Sequence, residues 1–136
     1  MSASLGGAIK TVVEAAGLGL SAYRDDAGKA TTSTKWVTIA EGIVITNESL
    51  GDAGASDAVT ELVQVDLWQP WRSTGAGGAA EDYDLADQLC RALHGVRLTG
   101  APTTVRSCTV DDVVRLVERE ENLVHHAITL RIRRER

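Results

Sequence analysis

The sequence is poor in several residue types, and each scarcity excludes a class of protein. Its 136 residues include no Phe, two Tyr, three Trp and two Cys. Two cysteines are too few for a disulfide scaffold, and a chain of this length buries enough surface without one, so we expect reduced thiols and folding in the cytosol. No apolar run approaches the ~18 residues of a membrane span, and the first ten residues lack the pattern of a secretory signal. We therefore expect no membrane association.

Cations are also in the minority. Lys and Arg number 14 against 19 Asp and Glu, giving a formal charge of −5, while 43% of residues are hydrophobic and 24% charged. This balance is typical of a soluble globular protein, and the length predicts a single domain over residues 1–136. An acidic chain is repelled by nucleic acid unless its cations form a patch, so a generic nucleic-acid binder is disfavoured.

Helical periodicity occurs twice. After Ser4, a suitable N-cap, apolar residues recur at spacings of three and four, and Gly17 and Gly19 supply the stop. A second helix is predicted over 80–94, where early acids suit the positive N-terminal end and Gly95 follows as the C-terminal cap. Its apolar face comprises Tyr83, Ala86, Leu89, Cys90 and Leu93.

Strand patterns occupy much of the remainder. The segment Trp36–Thr46 is rich in β-branched residues, and Gly42 in its middle predicts a bend, a bulge or a turn between two strands. Glu61–Gln69 alternates cleanly, with Val63, Val65 and Leu67 on one face. The polar or glycine-rich segments between these elements are predicted to be exposed connections: Leu20–Lys35, Asn47–Asp57 and Ser73–Gly78.

The C-terminal third predicts a long hairpin. Strands are expected over Thr103–Val110 and Val113–Glu118, with a bulge or turn at Asp111–Asp112. Arg119–Asn122 is the predicted hairpin tip, and the returning strand is Leu123–Arg133. Taken with the two helices, these patterns predict an α+β fold with a mixed or antiparallel sheet and a long C-terminal β-hairpin.

Motifs for chemistry are scarce. The glycine-rich run before the second helix is not followed by Lys-Ser or Lys-Thr, and no nucleophile elbow occurs. Cys90, His94 and Cys108 could contribute to a zinc site, but His125 and His126 point to opposite faces of one strand and cannot ligate one ion together. The carboxylates near the predicted turns have the ordinary interpretation of solvated charge. We expect no catalytic, metal or cofactor site and no enzymatic activity.

Two groups of residues are candidates for an interface. Trp68 lies on the polar face of its strand with Trp71 close behind, and Trp is favoured where proteins meet, although burial under a helix or loop is the more ordinary interpretation. The C-terminal run supplies Arg131, Arg133 and Arg134, which are either solvated or paired with an acidic patch on a neighbouring subunit.

The order of elements resembles that of the tail terminator (minor tail, tail completion) proteins of long-tailed bacteriophages. The resemblance rests on the N-terminal helix, the Trp36-Val37-Thr38-Ile39 strand, Glu61–Trp68, the helix carrying Leu89 and Leu93, and the closing strand His126–Ile132. It implies helices packed on a sheet, and a subunit of a homo-oligomeric ring, a hexamer in this family, that caps the tail tube and ends its polymerisation.

Partners and location follow from the same resemblance. They are further copies of the chain, the tail tube protein and a head–tail connector protein, in a virion tail or neck assembled in the host cytoplasm. Genomic DNA would pass through an acidic lumen without specific binding, because binding needs cations to replace counterions. The alternatives are another head–tail connector or neck protein or, from a different class, a small ligand-binding domain or enzyme.

Overall fold

The computed structural model describes residues 4–24, 35–47, 58–71 and 81–135, with the backbone alone for 43–47. In this part of the chain two helices and five strands follow one another in the order α1, β1, β2, β3, α2, β4 and β5. Their bounds are α1 Leu5–Ala15, β1 Ala22–Arg24, β2 Trp36–Asn47, β3 Ala58–Pro70, α2 Leu85–Leu93, β4 Val105–Glu118 and β5 Leu123–Glu135, with a 3₁₀ turn Arg119–Glu121 before β5. None of these helices is long and apolar enough to cross a membrane.

The strands form one mixed sheet in the order β1-β2-β3-β5-β4. β1 runs parallel to β2, and every other neighbouring pair is antiparallel. β5 pairs with β3 along its whole length, from Leu123 opposite Pro70 to Glu135 opposite Ala58. The α+β class and the long C-terminal hairpin are therefore confirmed, and the closing strand runs through the interior of the sheet.

The core lies between the helices and one face of the sheet. Strand alternation puts Val63, Val65 and Leu67 on this face, and all three are fully buried, as predicted from the sequence. Ile9 and Val13 of α1, Leu89 and Leu93 of α2, and Ile128, Leu130 and Ile132 of β5 belong to the same cluster.

Two hydrogen bonds to side chains hold the N-terminus of α1 in place. Ser4 Oγ accepts the Gly7 N–H at 2.9 Å, confirming the predicted N-cap, and Glu41 of β2 accepts the Gly6 N–H at 2.6 Å. A Cβ at Gly6 would lie 2.6 Å from the Glu41 carboxyl carbon, so a larger residue here would displace this carboxylate from its contact with the helix.

The irregularities in β2 and β4 occur where the sequence predicts them. The β2–β3 register shifts between Ala40 and Val44, and Gly42 has a φ of +67°. The β4–β5 register shifts between Val110 and Asp112, so the Asp111–Asp112 pair is a bulge within one continuous strand. At the predicted hairpin tip, Asn122 takes the left-handed conformation with a φ of 54°.

Two sequence predictions, one for a connection and one for the second helix, are wrong in part. Leu20–Lys35 is not wholly exposed, because Leu20 and Ala22 are buried and Ala22–Arg24 forms β1. The second helix begins at Leu85 instead of Ala80, and Tyr83 is 77% exposed, so it does not share the apolar face. Gln69 explains the late start, because its amide accepts the Asp82 N–H and donates to the Asp82 carbonyl, which fixes the chain to β3 before the helix can begin. Of the predicted loop Asn47–Asp57, Asn47 is the last residue of β2, and residues 48–57 lie outside the described residues, as does the predicted connection Ser73–Gly78.

Candidate functional site

An aromatic stack crosses the sheet face opposite the helices. Trp68 lies parallel to Trp36 with 6.0 Å between ring centroids, and its other neighbour is the His125 ring at 4.3 Å. Strand register places these residues side by side on β2, β3 and β5, and the Trp68 indole N–H donates to Thr38 Oγ1 at 3.0 Å. Trp36 and His125 are buried and Trp68 is half-buried. Contacts within the chain therefore hold the Trp68 side chain.

Trp71 lies at the end of β3 beside the hairpin tip. Its backbone N–H donates to the Asn122 carbonyl at 3.0 Å, and the Arg119 guanidinium lies 5.7 Å from the centre of its ring. This geometry suits a cation–π contact at the surface. The second predicted tryptophan thus ties the tip of the hairpin to the body of the sheet.

The three predicted arginines lie at the opposite end of β5. Arg134 Nε donates to Glu61 Oε1 at 3.0 Å, and the same carboxylate accepts the Gly42 N–H through Oε2 at 3.1 Å. The Glu61 side chain is only 7% exposed, so this pair is largely buried. Arg131 pairs with Asp111 at 3.2 Å on the open surface, and Arg133 follows it on the same face of β5.

The structure does not bring the predicted tryptophans and arginines together. His125, beside Trp68, and Arg131 are six residues apart on an extended strand, which separates the two groups by about 20 Å. The aromatic group lies toward the hairpin tip and the arginine group toward the hairpin base. They are two separate surfaces.

Sequence reasoning missed a charged cluster under the hairpin, formed by Glu81, Arg115 and His126 and here called the Glu81 cluster. Arg115 of β4 donates to both oxygens of Glu81, at 2.6 and 3.2 Å, and His126 Nε2 of β5 lies 3.8 Å from Glu81 Oε2. The Glu81 side chain is 1% exposed. This cluster fixes the chain ahead of α2 onto the two hairpin strands.

Two side chains of the Glu81 cluster have shifted pKa values. Burial lowers the pKa of His126, with Arg115 and His125 acting in the same direction and Glu81 opposing them. The hydrogen bond to Glu81 raises the pKa of Arg115. Because Arg115 takes both carboxylate oxygens and the side chain is enclosed, the arrangement suits a structural brace. Glu81 and Arg115 are 34 residues apart in the chain, and no local sequence signal links them.

The residues considered for a zinc site have other contacts. His94 Nδ1 accepts the Val110 N–H at 3.0 Å, and Cys108 is buried with its thiol 3.5 Å from the Leu93 carbonyl. Burial raises the pKa of Cys108 to about 11, and it also raises the pKa of Cys90 with a further contribution from Asp87. His125 and His126 do point to opposite faces. Within residues 4–24, 35–47, 58–71 and 81–135, no group of three or more His, Cys, Asp or Glu is placed to hold a metal ion.

The sequence matches no protein-family model and no curated protein. Solved structures do match, and one of them is a chain in the virion of a native gene transfer agent particle. The two chains superpose with a TM-score of 0.68 at 13% sequence identity, and the alignment covers 98% of this chain and 96% of the other. At that identity the likeness establishes a shared fold along nearly the whole length of both chains.

Proposed function

We propose that this protein is a structural subunit of a phage-like virion and that it acts as a tail terminator. The observation that carries the proposal is the near-complete correspondence of fold with a chain of a gene transfer agent virion. The elements on which the resemblance to tail terminators rests, a helix, two strands, a second helix and a closing strand, all occur in that order here. Its role is geometric, and no step of catalysis is assigned to it.

In this role several copies form a ring, a hexamer by family resemblance, on the end of the tail tube. A ring closes when each subunit presents two different complementary patches related by a rotation that returns to the start. Two sets of contacts stabilise the two ends of the sheet. The aromatic stack and the Glu81 cluster lie toward the hairpin tip, and the Arg134–Glu61 pair lies toward the hairpin base, so that a subunit keeps its shape while it makes such contacts. One side of the ring would meet the tube protein and the other the head–tail connector.

The charge of the chain suits a channel for DNA. Six copies at −5 each carry a formal charge of −30, and an acidic lumen offers phosphates no cations to replace their counterions. DNA would then slide through without being held. Strong DNA binding by purified rings at physiological salt would contradict this part of the proposal.

The test is electron microscopy of particles made without this protein. If it is the terminator, tails should grow to uncontrolled length, and resupplying the wild-type chain should restore uniform tails. An Arg91→Ser chain, altered at an exposed residue of α2 whose partner Asp87 is also exposed, is the matched control and should restore them equally. Uniform tails that fail to join heads would assign the neck role instead. Particles identical to wild type would refute a virion role.

A second test uses purified components. The chain is mixed with the tail tube protein encoded by the same genome, and capped tubes are counted by negative-stain microscopy. Binding to tube ends with arrest of growth is the expected result. Binding only to the portal or head-completion ring would favour the neck protein.

A further inference from the structure

The outer half of β4 is an open sheet edge. β4 is the last strand of the sheet, and its inner half is covered by the end of α2 and the turn that follows. There the Gly95 N–H donates to the Cys108 carbonyl at 2.7 Å, and the Val110 N–H donates to His94 Nδ1 at 3.0 Å. From residue 111 to 118, nothing in the described part of the chain bonds to the outward-facing backbone. We call residues 111–118 the open edge.

The open edge also carries three of the four exposed large hydrophobic side chains of the described residues. Val113, Val114 and Leu116 are 40%, 44% and 44% exposed, and among the described residues the only other large hydrophobic side chain so exposed is Tyr83. A long apolar edge strand is a template for pairing with another chain, and native proteins normally cover or charge such edges. The described residues cover the inner half of the strand and do not cover the apolar half.

The charges on the open edge select what can pair with it. Side chains alternate, so Asp112, Val114, Leu116 and Glu118 share the face away from the helices, opposite Thr129, Ala127, His125 and Leu123 of β5. Two carboxylates six residues apart therefore bracket two apolar side chains. All four are exposed.

A second copy of the same edge is a poor match. When two copies pair antiparallel with Val114 opposite Leu116, Asp112 of each copy lies opposite Glu118 of the other, and directly opposed like charges are destabilising. A shift by one pair in either direction removes this repulsion but leaves a single apolar pair, Val114 with Val114 or Leu116 with Leu116, and places the other apolar side chain opposite a carboxylate. A strand with cations at the two flanking positions meets the carboxylates and keeps the apolar contact.

We propose that the open edge binds an extended segment of another protein of the particle by β-strand addition. The segment carries two apolar side chains at alternate positions between two cations six residues apart. Backbone hydrogen bonds to β4 supply sequence-independent affinity, while Val114 and Leu116 with Asp112 and Glu118 supply the selection. The identity of the partner as a virion protein rests on the proposed function, whereas the binding chemistry does not.

The experiment titrates the purified full-length chain with the synthetic peptide TRTVTVTRT, followed by two-dimensional amide NMR. We expect shifts confined to β4 and its neighbours, and about tenfold weaker binding of TETVTVTET, because two opposite-charge pairs become like-charge pairs. A TRTVTVTRT peptide N-methylated at alternate residues should not bind, since it cannot complete the ladder.

A charge exchange on the protein sharpens the test. The double variant Asp112→Lys, Glu118→Lys should reverse the preference and bind TETVTVTET more tightly. The control Asp87→Lys makes the same kind of change at an exposed carboxylate of α2 and should bind like wild type. Equal binding of both peptides, or of neither, overturns the proposal. A concentration-dependent dimer in sedimentation that Val114→Lys abolishes, with no peptide binding, overturns it in favour of a second copy.

The two proposals fail separately. Arrest of tube growth without peptide binding would refute the docking role of the open edge and leave the terminator function standing. Selective peptide binding together with normal particles from cells lacking the protein would refute the virion function and leave the docking site standing.

Discussion

Removing the guanidinium from the Glu81 cluster should cost the fold a large part of its stability. Arg115→Met keeps most of the aliphatic stem but leaves the Glu81 carboxylate, 1% exposed, without its bidentate partner. Breaking a fully buried pair costs about 3–5 kcal/mol. The Arg115 side chain is 41% exposed, so water can enter on that side and solvate part of the charge. We therefore expect a loss of about 2–3 kcal/mol.

This loss is measurable in two ways. Urea denaturation should show a midpoint lower by about 1–2 M. Thermal unfolding should show a midpoint lower by about 8–12 °C for a chain of this size. The matched control is Arg91→Met, which removes a surface pair whose side chains are 80% and 64% exposed, and it should cost less than about 0.5 kcal/mol.

A double variant separates the pair from its surroundings. In Glu81→Leu, Arg115→Met both charges are gone, no carboxylate is left stranded, and much of the lost stability should return. If Arg115→Met is no more destabilised than Arg91→Met, the interpretation of the Glu81 cluster as a brace is refuted. The same follows if the double variant is as unstable as the sum of its two single variants.

Three further predictions concern titration, thiols and the arginine end. Burial holds the pKa of His126 below its unfolded value of about 6.5, so at a pH between the two values the unfolded chain binds a proton that the folded chain does not. The free energy of unfolding should therefore fall as the pH drops below about 6.5. His126→Gln should weaken this pH dependence in urea titrations, and an unchanged pH dependence would contradict the lowered pKa. At pH 8 a disulfide reagent should label the partly exposed Cys90 and reach Cys108 only after unfolding, because Cys108 is buried and its pKa is raised to about 11; mass spectrometry that found Cys108 labelled first would contradict its placement. Arg134→Met should lower the urea midpoint more than Arg131→Met does, because it leaves the nearly buried Glu61 carboxylate without its partner, whereas the partner of Arg131, Asp111, is exposed. Equal effects of the two substitutions would show that water solvates both ion pairs.

The predictions that succeeded rest on local signals. The N-cap at Ser4, the alternation of Val63, Val65 and Leu67, and the hairpin tip ending at Asn122 each depend on residues within a few positions of one another. Such patterns fix the type of an element, and the α+β class follows from them. The order of the strands in the sheet does not, because that order is set by contacts between distant segments.

The predictions that failed depend on distant partners. β1 has only three residues, and Ala22 is buried because β2 and α1 enclose it. The start of α2 is set by Gln69, which lies 13 residues away from Asp82. Glu81 looks like an ordinary first-turn acid until Arg115 and His126 are brought beside it. Composition and spacing carry no information about pairings of this kind.

The two flanks of the sheet differ, and the difference limits how copies of the chain can assemble. β1 offers three residues in the described part of the chain, and its Ala22 N–H is already bonded to Glu14 Oε2 at 3.2 Å. β4 offers the eight residues of the open edge. A continuous sheet running from copy to copy would need a second open edge of comparable length, which the described residues do not present. If the proposed ring forms, the described residues therefore favour contacts between unlike surfaces through side chains over a sheet that runs from copy to copy.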